Sequence, residues 1–470
     1  METLEKIYEY LTEEQKQGFD FILDFIKTDN TNLFALMTGV AGSGKTTIIS
    51  MFIRYFVQNH PMLTLACTAT TNKAVKVLRN KVGVDSGVEF TTVHKQLNLK
   101  EKITDNGTQL FLPDFSADSN SPFLIIVDES SMISNYKHKY EKESKSLWET
   151  ILQCAEHHKT KFLFVGDFCQ IPPVNEKKCV LDMPETQLKY NIKRFDLLKV
   201  VRQAQGSPII QLATYIREHI NHYLLDYNYH DIKTSFGAVA IWNRNQPVKV
   251  LANTKELFTD KEYLNNSDFV RIVSYTNESN RKLNHVIRNM IFNINSERVP
   301  LVVNEKLIAN KPIFIKYPYD PYKFELVFNT SDEFTVLDFR VDIDKGRKPD
   351  GSDDFKCLRT TVKDILDEVH EITIIHPDDK RRYDAFVQGI ANAAKATYNK
   401  QLWHYFYNVQ KRFANVSYAY TLTGHKSQGS TFTHCIVVEN DIYTNRDHVE
   451  RNKILYVAYT RPTDTLNLIK

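Results

Sequence analysis

An α/β fold is what the sequence predicts: two parallel-sheet units, a small β-hairpin insertion and an inserted β-containing domain. Three observations predict it. Short apolar runs that end in polar residues alternate with helix-like segments through the first third of the chain, the pattern of buried parallel strands whose carboxyl ends carry function. A glycine-rich turn, Gly39-Val-Ala-Gly-Ser-Gly-Lys45-Thr46, joins one such run to a helix-like one. Similar runs recur late in the chain, after a long stretch of different character.

Taken in order, Asn32–Thr38 reads as a strand, Thr46–Val57 as a helix, and Leu63–Thr68, Phe123–Asp128 and Lys161–Asp167 as further strands. Phe269–Thr276 and His434–Glu439 belong to the second unit. From about Val299 to Asn415 the text holds KPIFIKYPYDPYKFELVF, EFTVLDFRVDI and the turn-rich DKGRKPDGSDD, which reads as an inserted β-containing domain. Between Leu97 and Pro122, an Asn-Gly turn flanked by short β-like runs reads as a hairpin.

Composition narrows the class. With 470 residues, 42% apolar and 25% charged, the chain can bury several cores and is not disordered. No apolar run approaches the roughly 18 residues of a membrane span, and METLEKIYEYLTEEQ lacks the basic-then-apolar order of a secretory leader. Six scattered cysteines without a CxxC pair argue against a zinc ribbon or a disulfide framework and fit a reducing compartment, so a cytoplasmic location is expected, the host's if the chain is viral. A net charge of +3 advertises no global basic field, so any nucleic-acid binding must be local.

Gly39 to Thr46 fits the phosphate-loop pattern, G-x-x-x-x-G-K-[ST], in the required strand–turn–helix context. Backbone N–H groups of Gly39, Ala41, Gly42, Ser43, Gly44, Lys45, Thr46 and Thr47 would cradle phosphate at a helix N-terminus. Lys45 would reach the β/γ-phosphates and Thr46 would hold Mg²⁺. Asp128 and Glu129 end the strand-like FLIIVD; Asp128 can hold Mg²⁺ and Glu129 can polarise an attacking water. An acidic pair at a strand end is common alone and gains meaning downstream of a phosphate loop. Gly166-Asp167-Phe-Cys-Gln170-Ile-Pro172-Pro173 follows the next strand, with Asp167 and Gln170 where a γ-phosphate sensor belongs.

The ordered series LTEEQ, GVAGSGKT, ACTATTNKA, TTVHK, VDESSM, GDFCQIPPV, VVRQ, SYTNES, TGHKSQGST and LYVAYTR resembles the motif set of superfamily 1B DNA helicases, and within them the RecD/Dda branch. The resemblance runs from about Leu11 to Arg461; across the intervening insertion it extends only to position and length. It implies two RecA-like P-loop motor domains, a wedge subdomain and an SH3-like insertion. The boundaries expected are 1–97 and 123–199 for the first motor domain, 98–122 for the wedge, 200–305 and 415–470 for the second motor domain, and 306–414 for the SH3-like domain. It implies that Gln15 contacts adenine, that Arg202 and Arg461 meet the γ-phosphate as arginine fingers, and that Gln428 and Gly429 sit beside the nucleotide. Lys45, Glu129, Gln170, Arg202 and Arg461 form the catalytic set, with ATP and Mg²⁺ as cofactors.

The same resemblance assigns Thr68, Thr70, His94, Thr276, Asn277, Thr423, His425 and Lys426 to a single-stranded track, hydroxyl, amide and imidazole groups that hold phosphate and sugar without reading bases. Phe111 in the hairpin is the candidate wedge at a fork, or else a core aromatic of a small hairpin. Trp403, Tyr405, Phe406 and Tyr407 read as core more readily than as a base platform. The implied activity is ATP-driven 5′-to-3′ movement on single-stranded DNA with unwinding of forked duplex, by a monomer, with a single-strand-binding or replication protein as a possible associate and no membrane. Two other readings stay open: a translocase that displaces bound proteins without productive unwinding, and an assembly module with a vestigial pocket. RNA as the track also stays open; the motif set favours DNA. One departure stands out. Where the family has an Asn-Gly turn leading into the inserted barrel, this chain reads Phe328-Asn329-Thr330-Ser331-Asp332.

Overall fold

All six residues of the strand Phe34–Gly39 are buried, as a strand covered on both faces requires. In the computed structural model the described residues are 4–28, 31–83, 88–114, 121–137, 144–201, 206–223, 225, 230–266, 268–294, 299–317, 320–346, 348, 351–365 and 367–470. The chain divides into two compact units, Met1–Glu101 with Phe111–Asn245 and Ser427–Lys470, and Lys102–Leu110 with Gln246–Lys426.

The first unit contains a six-stranded sheet in the order Glu89–Thr92, Leu65–Ala69, Leu124–Asp128, Lys161–Gly166, Phe34–Gly39, Lys193–Leu197. Its pairings are parallel. Such a sheet needs helical crossovers, and Lys45–Asn59 and Asn72–Val82 supply two of them. Phe34, Phe162 and Phe164 stack on one face with Trp148, which begins from the capping-box helix Leu147–His158. Lys161, with no exposed surface, directs its ammonium at Phe25 O, Thr28 Oγ1 and Asn32 O, so the buried charge is hydrogen-bonded. The same unit holds the strands Phe432–Val438, Pro462–Ile469 and Gly237–Trp242, parallel in that order, with Ile232–Thr234 antiparallel at the end. The helix His448–Tyr459 is buried along most of its length and packs on Pro208–Glu218.

The second unit has an antiparallel sheet in the order Val369–Ile375, Phe355–Asp364, Glu333–Asp344, Lys306–Ala309, Val416–Tyr418. Ile313–Tyr317 and Asp320–Phe328 pair beside it. Leu307, Phe334, Val336, Leu358, Val362 and Ile372 form its core. Two buried ion pairs, Arg288–Glu305 and Arg271–Glu333, join the helix Asn277–Phe292 and the strand Val270–Ser274 to this sheet. Beside the strands that its text indicates, the insertion carries helices that the sequence reading does not place. Pro377–Thr397 and Lys400–Lys411 are packed helices. Their start signals are visible in retrospect: Pro377 at the first turn, followed by Asp378 and Asp379.

The turn that lacks the family's glycine solves the problem with a strained serine. Ser331 has φ +71°, Asn329 N donates to the Asp332 carboxylate at 2.6 Å, and Ser331 N donates to Ala309 O at 2.8 Å. A left-handed non-glycine residue costs about 1–2 kcal/mol, while glycine adds about 0.5–1 kcal/mol of chain entropy to lose. Ser331→Gly is therefore expected to stabilise the second unit by about 0.5 kcal/mol in urea unfolding; a clear loss of stability would contradict this account of the turn.

Candidate active site

The phosphate loop takes its shape from backbone that only glycine adopts freely: Gly42 lies at φ +78° and Gly44 at φ +84°. At Gly39 a Cβ would come within 2.6 Å of Ser43 Oγ and 3.0 Å of Lys45 Cγ. The helix Lys45–Asn59 has no side-chain cap, leaving its first N–H groups as anion donors. Lys45 Nζ folds back on Gly39 O (2.6 Å) and Val40 O (3.2 Å). Gln15 braces the loop: its Nε2 donates to Ser43 O at 3.1 Å while its Oε1 accepts from Thr12 N at 3.0 Å.

Asp128 closes the strand Leu124–Asp128, and Glu129 follows at φ +51° with its N–H donating to Asp128 Oδ1 at 2.9 Å. Burial raises the Asp128 carboxyl, partly offset by that N–H and by Lys45. Burial and then the Asp128 charge push Glu129 up to about 6, against the opposing charges of Arg461 and Lys45. The two cations thus act on one carboxylate although they lie 416 residues apart in sequence (461 − 45). Arg461 is buried and donates to Val457 O (2.9 Å), Ser430 O (3.0 Å) and Thr460 Oγ1 (2.9 Å). Gly429, at φ +68°, approaches from the same side; a Cβ there would meet Glu129 Cγ at 3.7 Å. Gln428 Nε2 donates to Ile171 O at 2.9 Å in the loop that carries Gln170.

Lys45, Asp128, Glu129, Gln170, Gln428, Gly429 and Arg461 therefore belong to one unit. Arg202 lies outside the described residues. Tyr456 joins the group and escaped the sequence reading: its hydroxyl donates to Asp167 Oδ2 at 2.6 Å and accepts from Ala41 N at 3.2 Å. Its place inside LYVAYTR was the available signal. Three buried polar atoms here, Ser43 Oγ, Gln170 Oε1 and Gln428 Oε1, have no hydrogen-bond partner among the described residues. Buried polar atoms are normally satisfied, so a polar ligand in this crevice fits the residues present. Thr46 and Asp128 are the oxygen donors suited to Mg²⁺.

The track residues divide by exposure. Thr68 is a correction: it is fully buried within Leu65–Ala69 and its hydroxyl donates to Ile126 O at 3.0 Å, so it faces the sheet interior and not a ligand. Thr70 is half-buried and His94 exposed. Thr276 caps the helix that Asn277 begins, accepting from Ser279 N at 3.1 Å. Buried Thr423 accepts from Lys426 N, His425 is half-buried, and Lys426 Nζ donates to Asn310 Oδ1 at 2.8 Å. Burial lowers the Lys426 ammonium pKa.

The strands Leu99–Ile103 and Gln109–Pro113 form a hairpin. Phe111 is 49% exposed, which removes the hairpin-core alternative. The tip packs against the helical pair of its own unit: Ile103 clusters with Ala391, Ala394 and Trp403, Tyr407 donates its hydroxyl proton to Gly107 O at 2.5 Å, and Lys400 lies 3.6 Å from Asp105. Trp403 is core, as its neighbours suggested.

Comparison with known proteins adds to this geometry. Residues 11–232 match the family model of an AAA domain, and residues 418–469 that of a UvrD-like helicase C-terminal domain. The ATP-dependent DNA helicase dda of Enterobacteria phage T4 is 25% identical across 97% of this chain and 98% of its own. An uncharacterised protein of Acanthamoeba polyphaga mimivirus is 24% identical across 95% of this chain and 97% of its own. A solved Bacteroides Pif1 helicase, in complex with ADP-AlF3 and ssDNA, covers 97% of this chain and 92% of its own at 14% identity, with a TM-score of 0.46. The AAA-domain match, the UvrD-like helicase C-terminal match and the full-length likeness to dda together support a helicase of the superfamily 1B, Dda-like kind.

At Gly107, with φ +81°, a Cβ would fall 2.3 Å from the Trp403 ring. Gly107→Ala is expected to free the tip, costing about 1–3 kcal/mol and shifting tryptophan emission to the red as Trp403 meets water. Unchanged emission and stability would contradict the packing described.

Proposed function

We propose that the chain is an ATP-dependent DNA helicase that moves 5′ to 3′ along single-stranded DNA and unwinds the duplex ahead of it. The observation that carries this reading is the convergence of Lys45 and Arg461 on Glu129, within one unit, beside Gln170 Oε1 and Gln428 Oε1, which have no partner among the described residues. A relative named as a helicase, matched over almost its whole length, supports the class; polarity rests on the resemblance of the motifs.

In this reading Lys45 and the phosphate-loop N–H groups hold the β- and γ-phosphates, and Gln15 lies toward the adenine. Thr46 and Asp128 hold Mg²⁺, which supplies positive charge to the phosphate oxygens when bound. Glu129 orients and deprotonates the water, Gln170 and Gln428 offer acceptors to it, and Arg461, with Arg202, offsets charge on the terminal phosphoryl group. Hydrolysis changes what these cations attract, so crevice closure follows the nucleotide. Thr70, His94, Thr276, Asn277, Thr423, His425 and Lys426 hold the strand backbone, Phe111 is the wedge, and the insertion is an SH3-like domain. The motor, wedge and insertion boundaries drawn from the motifs form part of the proposal, as do a monomeric working form and a single-strand-binding or replication partner.

Two outcomes are expected. Because the folded Glu129 pKa is raised to about 6, its basic form is lost as pH falls through that value. DNA-stimulated ATP turnover should therefore climb through about pH 6 and level above it, while Glu129→Gln should bind ATP yet turn over about 10²–10⁴-fold more slowly; wild-type turnover in this variant would remove its role. Forked DNAs with opposite overhangs test the rest: unwinding should need the 5′ overhang, and Phe111→Ala should keep strand-stimulated ATPase while losing unwinding. ATPase without unwinding of either fork by the wild type would instead favour a translocase that displaces bound proteins.

A further inference from the structure

Tyr456 is almost completely buried, with 1% of its surface exposed, on the helix His448–Tyr459. Its hydroxyl makes two bonds with opposite roles. It accepts the Ala41 N–H from the crest of the phosphate loop at 3.2 Å and gives its own proton to Asp167 Oδ2 at 2.6 Å. Burial, and then the Asp167 charge, hold the phenol well above its usual pKa, so the proton stays available for donation. Asp167 in turn uses its other oxygen to accept from Cys169 N at 3.1 Å, shaping the turn that presents Gln170. On the helix side, Arg461 lies one turn beyond Tyr456 and is tied to the same helix end through Val457 O. One hydroxyl thus joins the phosphate loop, the loop bearing Gln170 and the segment bearing Arg461.

A backbone N–H in a phosphate loop is a donor that phosphate oxygens use. The Tyr456 oxygen and a phosphate oxygen are therefore rival acceptors for Ala41. We infer that Tyr456 is a positioning residue whose hydroxyl yields the Ala41 N–H to nucleotide phosphate and, in shifting, resets the Gln170 loop and Arg461. This rests on the nucleotide reading of the loop. It makes the helix His448–Tyr459 respond to phosphate through a hydrogen bond it already makes, rather than only through attraction between phosphate and Arg461.

Tyr456→Phe keeps the ring and removes the rival. The Ala41 N–H is left with no protein acceptor, so a fluorescent ADP should bind more tightly, by about fivefold, the worth of one net hydrogen bond. In the same variant kcat for DNA-stimulated ATP hydrolysis should fall by tenfold to about a hundredfold, the scale of misplaced catalytic groups, while KM falls. A purely structural tyrosine would lower the melting temperature and leave nucleotide affinity unchanged or weaker; either affinity result overturns the inference. Wild-type protein in the same titration separates the two levels: no binding there removes the nucleotide reading altogether, whereas equal binding by wild type and Tyr456→Phe removes only the role of Tyr456. If the variant fails to fold, site-specific 3-fluorotyrosine at position 456 of the full chain gives a second reading. Its fluorine resonance should move when ADP and Mg²⁺ are added, and an unmoved resonance overturns the proposal.

Discussion

Two adjacent carboxylates at the end of a buried strand repel each other and lose solvation, and both effects drive them toward the neutral form. Opposing cations meet that constraint: Lys45 from the phosphate-loop helix acts on both Asp128 and Glu129, and Arg461 from much later in the chain acts on Glu129. Without them both carboxyls would be driven further toward the neutral form, and Glu129 would be a poorer base at a given pH. The parallel sheet, the left-handed glycines and the buried C-terminal helix all bear on this balance, because each brings one member of the set into the same crevice.

Neighbouring hydrogen bonds make the arrangement specific. Gln15 holds Ser43, Gln428 holds Ile171 and Tyr456 holds both Ala41 and Asp167. Each joins two segments distant in sequence, so the loops around the acidic pair are fixed to one another rather than to local structure alone. The polar atoms on Ser43, Gln170 and Gln428 that have no partner among the described residues are the complement of that rigidity, since a preorganised polar site keeps groups aimed where charge will develop.

The legible parts of the sequence are those where local pattern and tertiary role coincide. Buried parallel strands such as Phe34–Gly39 and Leu124–Asp128 must be continuously apolar, and the loop between strand and helix must carry glycines at left-handed positions; both leave plain text. Thr68 shows the limit. A motif string says which residues occur together but not which way each side chain points, and a strand covered on both faces turns Thr68 inward as readily as outward. Tyr456 was missed because its helix is buried nearly all round and so carries no amphipathic stripe. The helical pair Pro377–Lys411 was read through because strand-rich text precedes it and its buried stripe is narrow, only Tyr383, Ile390, Ala391 and Ala394 in the first helix.

Arg461 is where the account is most exposed, because a residue so late in the chain has no reason to affect phosphate chemistry unless it reaches the crevice of Lys45. Phosphate release by Arg461→Lys, at saturating ATP and single-stranded DNA, measures this directly. Lysine keeps the charge but loses the planar fork of donors. Retained ATP binding is expected, with release slowed by about 10³-fold, the lower range for an arginine finger. Release at the wild-type rate would contradict it.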